Sequence, residues 1–162
     1  MKFAHLADTH IKNLKYHYEY KEVFKKLYEK LREENVDYIV HCGDIAHTKT
    51  QLSPEFLDLQ NLFLLKNSGE VNLNENFTLN VLSVFDRDSW ITSSDSNKIN
   101  IALYHGAISN SKTDLGWIME YGEDDLSIFQ GHDYAFLGDI HKTNQTLDHD
   151  GKIRYAGSTV QQ

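Results

Sequence analysis

Apolar and polar residues follow two different rhythms along this chain. Residues 2–7, 36–42, 77–85, 98–105, 133–138 and 152–155 are short runs rich in aliphatic, aromatic or β-branched side chains, and they predict strands. Residues 18–33 keep the helical period instead: Val23, Leu27 and Leu31 share one stripe, with Tyr20, Phe24 and Tyr28 beside it. Pro54 next to Ser53 marks a second helix start. Asp148-His149-Asp150-Gly151 predicts a turn between the last strands. Strand and helix alternate at first and strands dominate after residue 64, which predicts an α/β fold. No repeat, low-complexity tract or linker interrupts the pattern, so residues 1–162 are expected to form one domain.

Composition narrows the class. A hydrophobic share of 40% with 25% charged residues is that of a folded domain rather than a disordered one. Neither a signal peptide nor an apolar run of membrane length is present, so no membrane partner is expected. Cys42 is the single cysteine, which excludes an intramolecular disulfide and suits a reducing cytoplasm. Its apolar strand makes it a small core residue rather than a nucleophile. A net charge of −8 argues against non-specific affinity for nucleic acid unless bound cations offset it locally. Lys12, Lys15, Lys21, Lys25, Lys26, Lys30 and Arg32 cluster early, and a solvated helix face accounts for them better than a nucleic-acid track.

Four predicted strands end in metal-binding side chains: Asp8-Thr9-His10, Gly43-Asp44-Ile45-Ala46-His47, His105-Gly106 and Asp139-Ile140-His141. Residues two apart in a strand point to the same side, so Asp8 with His10, and Asp139 with His141, could each reach one ion. Open α/β sheets bind ligands beyond the carboxyl ends of their strands, where these groups would gather. Carboxylates offset a divalent ion's charge while neutral imidazoles leave it Lewis-acidic, the balance that phosphoryl chemistry needs.

Asp8-x-His10, Gly43-Asp44-x-x-His47, His105-Gly106 and Gly138-x-x-His141, in that order, resemble the calcineurin-like metallophosphoesterases. The opening Met1–His10 and the end, Leu137-Gly138-Asp139-Ile140-His141-Lys142 followed by Tyr155-Ala156-Gly157-Ser158-Thr159-Val160-Gln161-Gln162, look most like the SbcD-type nuclease subunit of DNA repair, phage versions included. The resemblance implies an α/β/β/α sandwich and two divalent ions, manganese first with magnesium as the alternative. It places one ion on Asp8, His10, Asp44 and His141 and the other on Asp44, His105 and Asp139, with Asp44 bridging. His47 and His105 would act on the phosphate. The implied activity is metal-dependent hydrolysis of DNA phosphodiesters, as exo- or endonuclease. The implied partners are DNA and an SMC-like ATPase, with a homodimer allowed for, in the cytoplasm of a bacterium or a phage-infected host.

Two departures temper this expectation. The family carries a Gly-Asn-His motif between the second and third segments, and no Asn-His pair exists in this sequence. An internal segment is therefore expected to be missing around residues 60–65, along with the family's C-terminal capping region. Asp139 stands where the family usually has histidine. Two other functions stay open: a phosphodiesterase or phosphatase for small molecules or phosphoproteins, and a catalytically impaired remnant that binds a partner.

Several residues have plainer readings. His5 and His41 lie in apolar strands and suit the core; His17 and His132 lack carboxylate partners at ligand spacing, and His149 lies in a polar turn. Asp86-Arg87-Asp88 reads as a solvated loop. Tyr16, Tyr18 and Tyr20 could stack on bases, but helix packing explains Tyr20 and surface chemistry the other two.

Overall fold

The computed structural model describes residues 1–12, 16–47, 65, 67–92 and 95–158. Its elements are β1 (Phe3–Leu6), α1 (His17–Glu33), β2 (Tyr38–His41), β3 (Gly69–Asn72), β4 (Phe77–Leu82), β5 (Ile99–His105), β6 (Tyr134–Gly138) and β7 (Ile153–Tyr155). Short 3-10 turns occupy Arg87–Ser89 and Leu126–Phe129, the second capped by the Asp125 carboxylate, which accepts from the Ser127 N–H. The helix start expected at Ser53–Pro54 and the gap expected near residues 60–65 lie outside the described residues.

The strands form two sheets. β1 and β2 pair in parallel across α1, and the other five lie in the order β3-β4-β5-β6-β7. Only β3 runs antiparallel to its neighbour; β4 to β7 are mutually parallel. Parallel pairing sends the carboxyl ends of β5 and β6 to one rim, and the same holds within the β1–β2 pair. That shared direction lets side chains distant in sequence meet in one place.

Aromatic packing joins the sheets. Phe3 packs on Phe77 and Phe136 at centroid distances of 5.5 and 6.2 Å, and His5 stacks on Phe136 at 4.7 Å. The Cys42 thiol donates to the Phe136 carbonyl at 3.3 Å. The opposite face of the larger sheet builds the main core from Leu82, Tyr104, Ile108, Phe129, Leu137 and Tyr155. Removing a leucine such as Leu137 from water contributes about 1.5–3 kcal/mol.

α1 buries Tyr20 and half-buries Val23, Phe24, Leu27 and Leu31, the stripe its period predicts. Its lysines stay exposed, and Lys30 pairs with Glu33 and Glu34 on the helix's last turn. Asp86-Arg87-Asp88 differs from the solvated loop expected. The Asp86 carboxylate accepts the Ser68 N–H at 3.0 Å, and the Arg87 guanidinium grips Asp124 at 2.6 Å. The segment thus braces the entry to β3 and the loop after β5. The expected turn at Asp148–Gly151 is present, with Asp148 accepting the N–H groups of Lys152 and Ile153.

Candidate metal centre

Each ligand-bearing segment leaves its strand through a bend. Asp8, His10, Asp44 and Asp139 all have left-handed backbones, with φ of 51°, 44°, 49° and 94°. Such a conformation costs a non-glycine residue about 1–3 kcal/mol and persists where surrounding contacts impose it. Asp8 and His10 therefore converge through two bends, and the strand alternation invoked from the sequence does not operate: β1 has already ended at Leu6.

Backbone hydrogen bonds lace the first two bends together. The Asp8 N–H donates to the Gly43 carbonyl at 3.1 Å, and the His10 N–H to the Asp44 carbonyl at 2.9 Å. The Thr9 hydroxyl adds a bond to the Ile45 carbonyl at 3.0 Å. A fourth segment then closes on the pair. The Asp139 N–H donates to both carboxylate oxygens of Asp8, at 3.2 and 3.0 Å, while the Ser158 hydroxyl donates to the Asp8 carbonyl at 3.1 Å.

The result is two groups of donors that share one carboxylate. Asp8, His10 and His141 place three donor atoms within 4.8 Å of one another, and Asp8, Asp44 and His105 do the same. His10 Nε2 and His141 Nε2 are 3.2 Å apart, and each lies 3.9 Å from Asp8 Oδ1. Asp44 Oδ2 stands between the groups, 3.8 Å from His10 Nε2 and 3.7 Å from His105 Nε2. Both aspartates thus lie where a bridging ligand would, and Asp8 is the more central. Its side chain is fully buried, whereas 41% of Asp44's is exposed.

His105 is held by what surrounds it. A carbonyl can only accept, so its 2.6 Å contact with the Cys42 carbonyl puts the proton on His105 Nδ1 and leaves Nε2 free to ligate. The ring sits in a slot walled by two glycines. A Cβ at Gly43 would lie 2.4 Å from Nδ1, and one at Gly138 would lie 2.6 Å from Nδ1 and 2.1 Å from the Cys42 carbonyl.

Electrostatics match a cation site. Burial raises the Asp8 carboxyl above its usual range, against the pull of the Asp139 N–H and the three histidines. Burial likewise lowers His10, against the raising effect of Asp44. Desolvation therefore disfavours the charged form of both, and a divalent ion among these donors would supply the charge that water no longer screens. Three carboxylate and imidazole donors per group suit a divalent cation of hard or borderline character rather than one that needs thiolate ligands. The only thiol near, Cys42, is buried and its pKa is pushed up.

The remaining sequence candidates fall around this centre. The Asp139 carboxylate belongs to neither donor group; its backbone does the work at Asp8. His47 is exposed and stands beside the centre, its ring centroid 6.0 Å from that of His10. His132 meets the Phe129 carbonyl at 3.3 Å, and His149 pairs with Asp150 at the surface. Sequence reasoning passed over the Cys42 carbonyl, the Gly138 wall, the Tyr20 hydroxyl that donates to the His10 carbonyl and the Tyr155 hydroxyl that donates to the Gly106 carbonyl. Of these, only Gly138 and Tyr155 stand inside motifs that could have drawn notice.

An uncharacterized protein of Acanthamoeba polyphaga mimivirus is 33% identical over 215 aligned positions, covering 98% of this chain and 16% of that protein. The chain thus spans about a sixth of that relative's length. Since 215 aligned positions exceed the 162 residues here, the relative carries at least 53 positions that this chain lacks within the match. The sequence profile described as calcineurin-like phosphoesterase matches residues 1–159, and the chain belongs to that family of metal-dependent phosphoester hydrolases.

Proposed function

We propose that this chain hydrolyses DNA phosphodiesters as a nuclease subunit of repair or recombination type, using two divalent cations, manganese before magnesium. The observation that carries the reading is the docking of the Gly157-Ser158 ending onto the centre. The Ser158 N–H donates to the His141 carbonyl at 3.1 Å and its hydroxyl to the Asp8 carbonyl at 3.1 Å. That repair-type ending is therefore part of the ligand scaffold, where a generic phosphatase would not need it. Apart from the fully buried Asp8, the ligand side chains also stay partly open, from 14% at His10 to 41% at Asp44, which suits a phosphate on a polymer backbone.

The cations would supply Lewis acidity toward a phosphoryl oxygen and an attacking water. The chain's own groups supply the rest. Asp8 and Asp44 concentrate negative charge between the two donor groups and fix their separation. His10 and His141 present paired Nε2 atoms, and His105 presents Nε2 because Cys42 holds its other nitrogen. His47, exposed beside His10, is placed to deliver a proton to the leaving oxygen. An SMC-like ATPase and a second copy of the chain are the partners this reading includes.

A weaker catalyst is favoured by one specific observation, the absence of any Asn-His pair together with the relative's extra positions. General acid help of that kind is worth roughly 10²- to 10⁴-fold. The test is an assay with manganese on labelled linear duplex and on bis-p-nitrophenyl phosphate, with Asp8→Ala as control. Slow cleavage of the activated diester, faint cleavage of duplex and loss of both in the control are expected. Hydrolysis of phosphomonoesters alone would favour the phosphatase reading, and no hydrolysis by a metal-loaded chain would favour a binding remnant.

A further inference from the structure

Two tyrosine hydroxyls touch the ligand turns, and they touch different ones. Tyr20, buried on α1, donates to the His10 carbonyl at 2.9 Å. Tyr155, 2% exposed on β7, donates to the Gly106 carbonyl at 2.8 Å and accepts the Ile108 N–H at 2.9 Å. His10 belongs to the donor group with His141, and His105, next to Gly106, to the group with Asp44. Each hydroxyl comes from an element that contributes no ligand to the turn it holds. Both bonds end on backbone carbonyls of residues leaving a strand, and at His10 the hydroxyl adds to the bond that the next N–H, that of Ile11, donates to the Ile45 carbonyl at 2.9 Å. His10 has a left-handed backbone as well, so its position needs an outside restraint.

We propose that Tyr20 and Tyr155 are positioning residues, each setting one of the two cation positions independently of the other. The proposal rests on the reading that the two donor groups hold cations. A hydroxyl that orients a ligand acts as an outer-shell partner, and loss of such partners typically lowers metal affinity roughly 10- to 100-fold. Because Tyr20 and Tyr155 act on separate turns, the losses should separate by position. A purely structural tyrosine would lower thermal stability without choosing between ions.

The experiment uses the full chain, manganese and isothermal titration calorimetry. His105→Ala leaves the Asp8, His10 and His141 group, and His141→Ala leaves the Asp8, Asp44 and His105 group. Tyr20→Phe should weaken manganese binding about tenfold or more in the His105→Ala background and leave the His141→Ala background within about twofold. Tyr155→Phe should do the reverse. Tyr104→Phe removes a tyrosine hydroxyl that bonds a carboxylate, Asp124 at 2.7 Å, rather than a ligand-turn carbonyl, and it should change neither. In metal-free protein, imidazole NMR signals of His10 should move with Tyr20→Phe, and those of His105 with Tyr155→Phe. Equal losses in both backgrounds, or lower melting temperatures with unchanged affinity, would overturn the proposal while leaving the metal reading intact. Manganese binding that is absent from the parent chain, or indifferent to Asp8→Asn, would overturn both.

Discussion

His10 Nε2 and His141 Nε2 face each other at 3.2 Å although 131 residues separate them. Two imidazole nitrogens so close must either share a proton or share a cation. Asp8 Oδ1, 3.9 Å from both, supplies the negative charge that makes a cation the better solution.

Asp8 should matter to both cation positions and Asp44 chiefly to the one with His105. Asp8→Asn is expected to abolish tight binding of two manganese ions per chain. Asp44→Asn is expected to weaken the His105 position by roughly tenfold or more and the His10 position less. Calorimetric titration of the two variants distinguishes them, and two ions bound normally by Asp8→Asn would sink the arrangement.

Asp139 offers a sharper discrimination, since its backbone N–H rather than its carboxylate reaches Asp8. Asp139→Ala keeps that N–H, so manganese affinity should stay within about twofold of the parent. A loss of roughly tenfold or more would instead make the carboxylate a ligand.

Gly138→Ala tests the slot around His105. The added methyl would meet the Cys42 carbonyl at 2.1 Å and His105 Nδ1 at 2.6 Å, neither of which is a flexible side-chain tip. Overpacking of this kind costs about 1–3 kcal/mol. Chemical denaturation should show that loss, and metal titration should show the His105 position weakened more than the His141 one.

Acid should destabilise the metal-free fold through His5 and His41, both lowered to about 4 by burial. Above pH 6.5 each is neutral folded and unfolded, and contributes no pH dependence. Between 6.5 and 4 the unfolded chain takes up protons that the folded one refuses, so stability falls as pH drops. The limiting slope is about 1.4 kcal/mol per pH unit for each histidine. His5→Phe keeps a ring stacked on Phe136 and should flatten the decline; an unchanged slope between pH 6.5 and 4.5 would remove His5 from this account.

The ligand segments were legible because they combine an apolar run, a bend and a chemically unusual side chain, as in Phe3–His10. The manner of convergence was not. A left-handed φ at Asp8 or His10 is imposed by partners such as Gly43, Asp44 and Tyr20, and none of these is a sequence neighbour. β3 escaped notice because Gly69-Glu70-Val71-Asn72 offers one aliphatic side chain; its pairing with β4 defines it. Tyr155 looked like an ordinary strand aromatic, since its partners are main-chain atoms that no side-chain pattern announces.

The bridge from Ala7 to Ser158 and the bond from Ser158 to Asp8 tie the first strand's exit to the last described residue. During synthesis, the N-terminal half of the centre must wait for β6 and β7 to emerge. A chain still on the ribosome holds Asp8, His10 and Asp44 without His141 or the Asp139 N–H. Translation products that stop before His141 therefore carry an acidic turn in place of the complete set of donors.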